Sequence, residues 1–218
     1  HLLIEKPLCT TIDDCKKFQL ISKDYSKVIW VGMEYRYMPP VKKLIERVHN
    51  KTLGKLKMVS IREHRFPFLK KVDNWNRFDS NTGGTMVEKC CHFFDLMRFI
   101  TQSEVKQVFA SGSQDVNHLD EIYNGKVPNI IDNGYVIIDF ENGVRGLLDL
   151  CMFAENSEYQ EEVVAVGDKG KIEAFVPSHH SGKNISQVKM GMRNSSTIIT
   201  NDMEVDKKIL MAGHHHGS

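Results

Sequence analysis

Apolar residues near the start of the chain fall in two short runs, His1–Ile4 and Val28–Met33. The first stops at Glu5-Lys6-Pro7, because proline cannot continue a central strand. Between the runs, the segment from Thr10-Thr11 to Ile21 carries Asp13 and Asp14 early and lysines late, the charge order a helix dipole favours, and predicts a surface helix. Val28–Met33 is continuous rather than alternating, the mark of a parallel strand covered on both faces. Strand, helix, strand makes one βαβ unit. Two strands cannot bury both their faces, so the unit calls for further strands.

Pro39-Pro40 opens a helix reaching about His49, with Val41, Leu44, Ile45 and Val48 as its apolar stripe. The period then changes. Leu56, Met58, Ser60 and Arg62 alternate with Lys57, Val59, Ile61 and Glu63, as in a half-buried strand. A polar loop, His64 to Thr82, leads to Gly83-Gly84, where Thr85 is a candidate N-cap with Glu88 as its capping-box partner. The spacing predicts one unbroken helix through Ile100, burying Met86, Val87, Cys90, Cys91, Phe94, Met97 and Phe99. Val105 to Ser111 reads as a strand, and Asp115 to Pro128 as an exposed loop. Two hairpins follow. Tyr135–Phe140 turns through Asn142-Gly143 into Val144–Phe153, and Glu161–Val166 turns through Gly167–Gly170 into Lys171–Val176. Gln187–Met192 and Ser196–Thr200 add possible strands. The fold class is α/β plus α+β: a βαβ piece over 1–37, then a helix-backed, mainly antiparallel open sheet over 38–218.

Composition narrows the function. The 218 residues are 41% apolar and 26% charged with net charge +1, so no nucleic-acid footprint is visible. No apolar run nears the roughly 18 residues of a membrane-spanning helix. Five cysteines without a paired framework suit reduced thiols in the cytoplasm. Cys90, Cys91 and His92 are adjacent and cannot converge on one ion from a helix, so no metal site is expected. Glu88 and His92 lie one turn apart, which reads either as a solvated pair or as a carboxylate tuning an imidazole. Lys6 is either a solvated lysine or one at the carboxyl edge of an α/β sheet, where ligands bind. His179-His180 are further pocket candidates by residue type alone.

These residues form a recognisable series. Ile4-Glu5-Lys6-Pro7 after an apolar strand, Tyr35-Arg36-Tyr37 at a strand end, Trp75 and Arg77, then Gly83-Gly84-Thr85 with an acid at 88, His92 and Asp95 resemble the glucose-fructose oxidoreductase, inositol dehydrogenase and MocA superfamily. Order and spacing match from His1 to about Gly170. The resemblance implies that 1–37 end a dinucleotide-binding Rossmann domain and that 38–218 form the substrate-binding domain. It implies hydride transfer between NAD or NADP and a hydroxyl carbon of a sugar, cyclitol or similar polyol. Carried over by position, Lys6 is the active-site lysine, His92 the proton-relay histidine, and Glu88 stands where many members have aspartate. Glu5, Lys6 and Arg36 fall on the cofactor side, and Trp75, Arg77 and His92 on the substrate side. The chain departs from the family in having no G-x-G-x-x-G phosphate cradle, so an internal fragment of a longer oxidoreductase is expected. A second reading keeps the scaffold without turnover, as a dinucleotide- or sugar-sensing regulator. The broad sheet suggests a homo-oligomer. The terminal His214-His215-His216-Gly217-Ser218 reads as native sequence or as an expression scar.

Overall fold

The computed structural model describes residues 1–178 and 185–204. β1 (Leu2–Ile4), α1 (Ile12–Lys23) and β2 (Ile29–Val31) form the βαβ unit, with Leu2 opposite Ile29 and Ile4 opposite Val31 in a parallel pair. The Thr11 side chain caps α1 by accepting from the Asp14 amide. Neither strand is covered on both faces, contrary to expectation: Leu3 and Trp30 are exposed, because a two-stranded sheet has nothing to lay over them. α1 buries no residue, as expected for a surface helix.

A 3-10 turn over Glu34–Tyr37 leads into α2 (Pro39–His49). β3 (Leu56–His64) then enters an eight-stranded sheet with β4 (Val105–Ser113), β5 (Asn133–Phe140), β6 (Arg145–Cys151), β7 (Tyr159–Gly167), β8 (Gly170–Pro177), β9 (Ile185–Met192) and β10 (Ile198–Glu204). Strand order is β10-β9-β8-β7-β3-β6-β5-β4. β3 and β6 run parallel and every other pair antiparallel, so the sheet is mainly antiparallel and open. Both hairpins form where the turn signals place them. One sheet face carries Val59, Ile61, Val136, Ile138, Leu148, Leu150, Val163 and Ala174 under α2 and α5 (Cys91–Thr101).

The segment before α5 departs from the sequence expectation. α3 (Asp79–Thr82) and α4 (Thr85–Glu88) are single turns, and the helix is interrupted at Lys89-Cys90. Gly83, at φ +79°, lies where an added Cβ would sit 2.9 Å from the Thr10 carbonyl oxygen, so a side chain would separate this turn from the segment after Lys6. Gly84, not Thr85, is the N-cap of α4, and the Thr85 hydroxyl donates to the Ile131 carbonyl, so the capping box does not form. The amides of Lys89 and Cys90 both donate to the Thr85 carbonyl. The second of these bonds spans five residues, a single widened turn at the break between α4 and α5. The buried residues Thr85, Glu88, Lys89, His92, Phe93, Leu96, Met97 and Ile100 keep one helical face across the break, while Phe99 is 38% exposed and Phe94 only half-buried.

This phase is testable. Phe93→Ala is expected to cost about 3–5 kcal/mol in urea unfolding, and Phe99→Ala about 1 kcal/mol or less. Equal losses would contradict this placement of the stripe.

Candidate active site

Lys6 leaves the carboxyl end of β1, and Glu34 begins the turn just past the carboxyl end of the adjacent β2. The parallel register of the strands sets them side by side. The Lys6 ammonium donates to the Glu88 backbone carbonyl at 2.9 Å and lies 3.9 Å from Glu88 Oε1. Lys71 Nζ approaches the same carboxylate oxygen at 3.5 Å. Glu88 Oε2 is buried, with no hydrogen-bond partner among the described residues. His92, in the first turn of α5, is 2% exposed. Its ring stacks on Tyr35 at 4.2 Å and 9°, and its Nε2 lies 3.9 Å from Glu34 Oε1. All of these residues border one cavity of about 310 Å³, whose far wall is Phe66, Phe68 and Leu69. Lys6, Glu88 and His92, remote in sequence, thus converge.

The other sequence candidates lie elsewhere. Arg36 donates through Nε to Asp95 Oδ2 at 2.6 Å and through Nη2 to Asp95 Oδ1, and its guanidinium lies over Phe99 at 4.3 Å. That pairing turns it toward a different cavity, bordered by Trp30 and Tyr37. Glu5 is exposed and outside the Lys6 cavity. Trp75 is also outside it, 39% exposed with Lys71 Nζ 5.1 Å from its ring centre. Arg77 is buried, donating to Glu121 Oε2 at 2.7 Å and to the Phe68 carbonyl at 3.1 Å. Its donors are committed, so it supports the cavity wall rather than forming it. Asn76 does likewise, holding the Leu69 carbonyl at 2.9 Å. The loop over 115–128 is largely exposed, as expected, and its start is pinned by Asp132, which accepts from the amides of Asp115, Val116 and Asn117. His179, His180 and the terminal histidines lie outside the described residues.

Beneath the cavity is an ionic group that no motif announced. Lys89 Nζ, 4% exposed as a residue, lies 3.0 Å from Glu63 Oε1 and donates to Tyr35 Oη at 2.5 Å. Tyr35 Oη donates to Glu161 Oε1 at 3.3 Å, which also accepts from Gln160 at 2.6 Å. Arg65 Nη1 stands 3.6 Å from Glu63. Glu63 and Glu161 are register partners on β3 and β7, side by side on the helix-covered face. One signal was available: Glu63 alternates in phase with Val59 and Ile61, and Glu161 with Val163 and Ala165, all buried. Burial, and then the neighbouring Glu63 carboxylate, push the Glu161 carboxyl up to about 8.

Known proteins share this architecture. Residues 45–217 match the oxidoreductase family's C-terminal alpha/beta domain. The chain belongs to the glucose-fructose oxidoreductase, inositol dehydrogenase and MocA family. Myo-inositol 2-dehydrogenase of Thermotoga maritima is 31% identical over 172 residues, covering 79% of this chain and 48% of that protein. The fold matches levoglucosan dehydrogenase in complex with NADH at TM-score 0.75 and 18% identity, covering 95% of this chain and 55% of that one. It also matches an inositol dehydrogenase homologue of Azotobacter vinelandii complexed with NAD+, at TM-score 0.71 and 18% identity, covering 94% and 50%. The chain spans about half the length of the curated relatives it matches. The family whose model it matches is described as an oxidoreductase family. No described helix is long and apolar enough to cross a membrane.

Glu161 gives a pH prediction. An acid whose pKa rises on folding holds its proton more tightly in the folded state, so stability falls as pH climbs from the unfolded value of 4.5 to about 8. Glu161→Gln, which keeps the shape of the neutral acid, is expected to lose less stability than the parent between about pH 5 and about pH 8 in urea titrations. Parallel curves would contradict the assignment.

Proposed function

We propose that this chain is the substrate-binding part of an NAD- or NADP-dependent oxidoreductase. Its substrate would be a CH–OH carbon of a sugar, cyclitol or similar polyol. The observation that carries this reading is the convergence of Lys6, Glu88 and His92 on one cavity. Its volume, about 310 Å³, is at the small end of ligand sites and suits a single ring. The Thermotoga relative is a myo-inositol 2-dehydrogenase, and two neighbours in fold are complexed with NAD+ or NADH. In this reading residues 1–37 end the dinucleotide-binding domain and 38–218 form the substrate domain.

The residues divide the proton chemistry as follows. A bound nicotinamide would accept the hydride. Lys6, at the carboxyl edge of β1, would hold the nicotinamide end and place its ammonium by the reacting oxygen, stabilising negative charge there. His92 takes the hydroxyl proton. Glu88 fixes the ammonium through its carbonyl and carboxylate, and its unpartnered Oε2 is an acceptor for a second substrate hydroxyl. These residues fit the nicotinamide and substrate end only. The turn after β1 holds no glycine to cradle a pyrophosphate.

The test is reduction of NAD+ and NADP+ by the full-length protein across a panel of polyols. Lys6→Ala and His92→Asn are each expected to lower kcat by roughly 10²- to 10⁴-fold, with KM changed far less. If the parent and Lys6→Ala are equally silent on every polyol yet bind dinucleotide, the protein is a sensor on this scaffold and the reading fails.

We place the protein in the cytoplasm, where all five cysteines stay free, as they are here. The outer sheet face exposes Met58, Phe109, Tyr135, Ile137 and Leu147, and a second copy is its proposed cover. Ile137→Lys combined with Phe109→Asp is expected to halve the mass measured by light scattering. An unchanged mass would remove this face as the interface.

A further inference from the structure

A buried base that accepts a proton at each turnover must return it to water, and His92 is only 2% exposed. Two carboxylates border its cavity. Glu88 cannot serve as the outlet, because its side chain is 6% exposed and engaged with the Lys6 and Lys71 ammonium groups. Glu34 differs in every respect that matters. Its side chain is 37% exposed, and its Oε1 is the carboxylate oxygen 3.9 Å from His92 Nε2. It also stands on the turn that carries Tyr35, whose ring fixes the imidazole plane.

Resting on the oxidoreductase reading above, we propose that Glu34 is the proton outlet of the site, the residue through which His92 exchanges its proton with solvent. Each alcohol oxidised gives up a hydride to the nicotinamide and one proton from its hydroxyl. That proton goes to His92 Nε2, then to Glu34 Oε1, then to water, which restores the neutral imidazole and the carboxylate. A single nitrogen takes and gives, so no ring flip is required. In the reductive direction the same path delivers the proton.

The charged surroundings suit a carboxylate that must both take and release. Burial raises the Glu34 carboxyl above its ordinary range, opposed first by the Lys6 ammonium and with smaller effects from Glu5, which raises it, and Lys89, which lowers it. His92 in turn faces Glu34 and Tyr35 from the turn after β2, Lys6 from the end of β1, Glu88 and Lys89 from α4 and its end, and Lys71 across the cavity. A carboxylate shifted toward the range of an imidazole exchanges protons with it at small cost. Glu34 acts through His92 and has no assigned contact with the substrate.

The test has two independent readouts on Glu34→Gln and Glu34→Asp. The first is the NMR titration of the His92 imidazole in the protein without turnover. Loss of the facing carboxylate in Glu34→Gln is expected to lower its midpoint by about one unit, with Glu34→Asp intermediate. The second is turnover of the full-length protein at low and high concentrations of a small buffer. Glu34→Gln is expected to fall roughly tenfold at low buffer and to recover as imidazole or formate is added, while KM stays near the parent value. An unmoved His92 midpoint, or a Glu34→Gln rate equal to the parent at low buffer, overturns the proposal. If the full-length parent oxidises no polyol, the oxidoreductase reading falls, and the titration alone decides whether Glu34 and His92 exchange a proton.

Discussion

An ammonium group in the protein interior constrains everything around it. Lys89 is 4% exposed, and charge at that depth persists only with opposite charge and hydrogen-bond acceptors in reach. Glu63 supplies the charge and the Tyr35 hydroxyl the acceptor. Each of these comes from a different layer: Glu63 from the central strand β3, Tyr35 from the turn after β2, Lys89 from the interrupted helix. Meeting the needs of one buried cation therefore ties the βαβ unit to the sheet. Removing a single partner would strand the others, at a cost on the order of 3–5 kcal/mol.

The same arrangement reaches the site because Tyr35 has two ends. Its hydroxyl belongs to the ionic group and its ring lies against His92. An imidazole that is to pass protons needs a fixed plane, and here the plane is set by a ring whose own position is anchored in the core. The interrupted helix contributes to the same end. At the break Glu88 and Lys89 both border the cavity, and Lys89 also reaches the buried Glu63, so neighbouring residues join the site to its support.

Much of the fold was legible because its signals are local. Asn142-Gly143, the alternation through β3 and the Pro39-Pro40 helix start each depend on a few adjacent residues, and each element formed. The burial of Lys89 was not legible, because its reason is tertiary: its partners Glu63 and Tyr35 lie far away along the chain. The expected stripe put Phe94 and Phe99 inside, whereas the face in phase with Thr85, Glu88 and Lys89 buries Phe93, Leu96 and Ile100. At the site, Lys6, Glu88 and His92 could be placed from motif order. Glu34 carries no motif, and its proximity to Lys6 arises only from the parallel register of β1 and β2. Arg77 misled for the opposite reason: an arginine before an active-site helix suggests substrate contact, yet Glu121 and the Phe68 carbonyl take its donors.

The location of the cavity follows from how its walls are supplied. Parallel strands place their carboxyl ends together, which brings Lys6 and Glu34 to one edge with no further device. The open sheet cannot do this, so its contribution is a helix end carrying Glu88 and His92 and a loop pinned by Asn76 and Arg77. Groups that must meet come from opposite sides of a seam, and Gly83, pressed near the Thr10 carbonyl, sets how closely the sides approach. A change in that approach would alter the distance from Lys6 to Glu88 before it altered either side's own packing. Chemistry at this cavity is accordingly more sensitive to the seam than to the stability of either part, which is why the buried Lys89 group, spanning it, matters more than its solvent-remote position suggests.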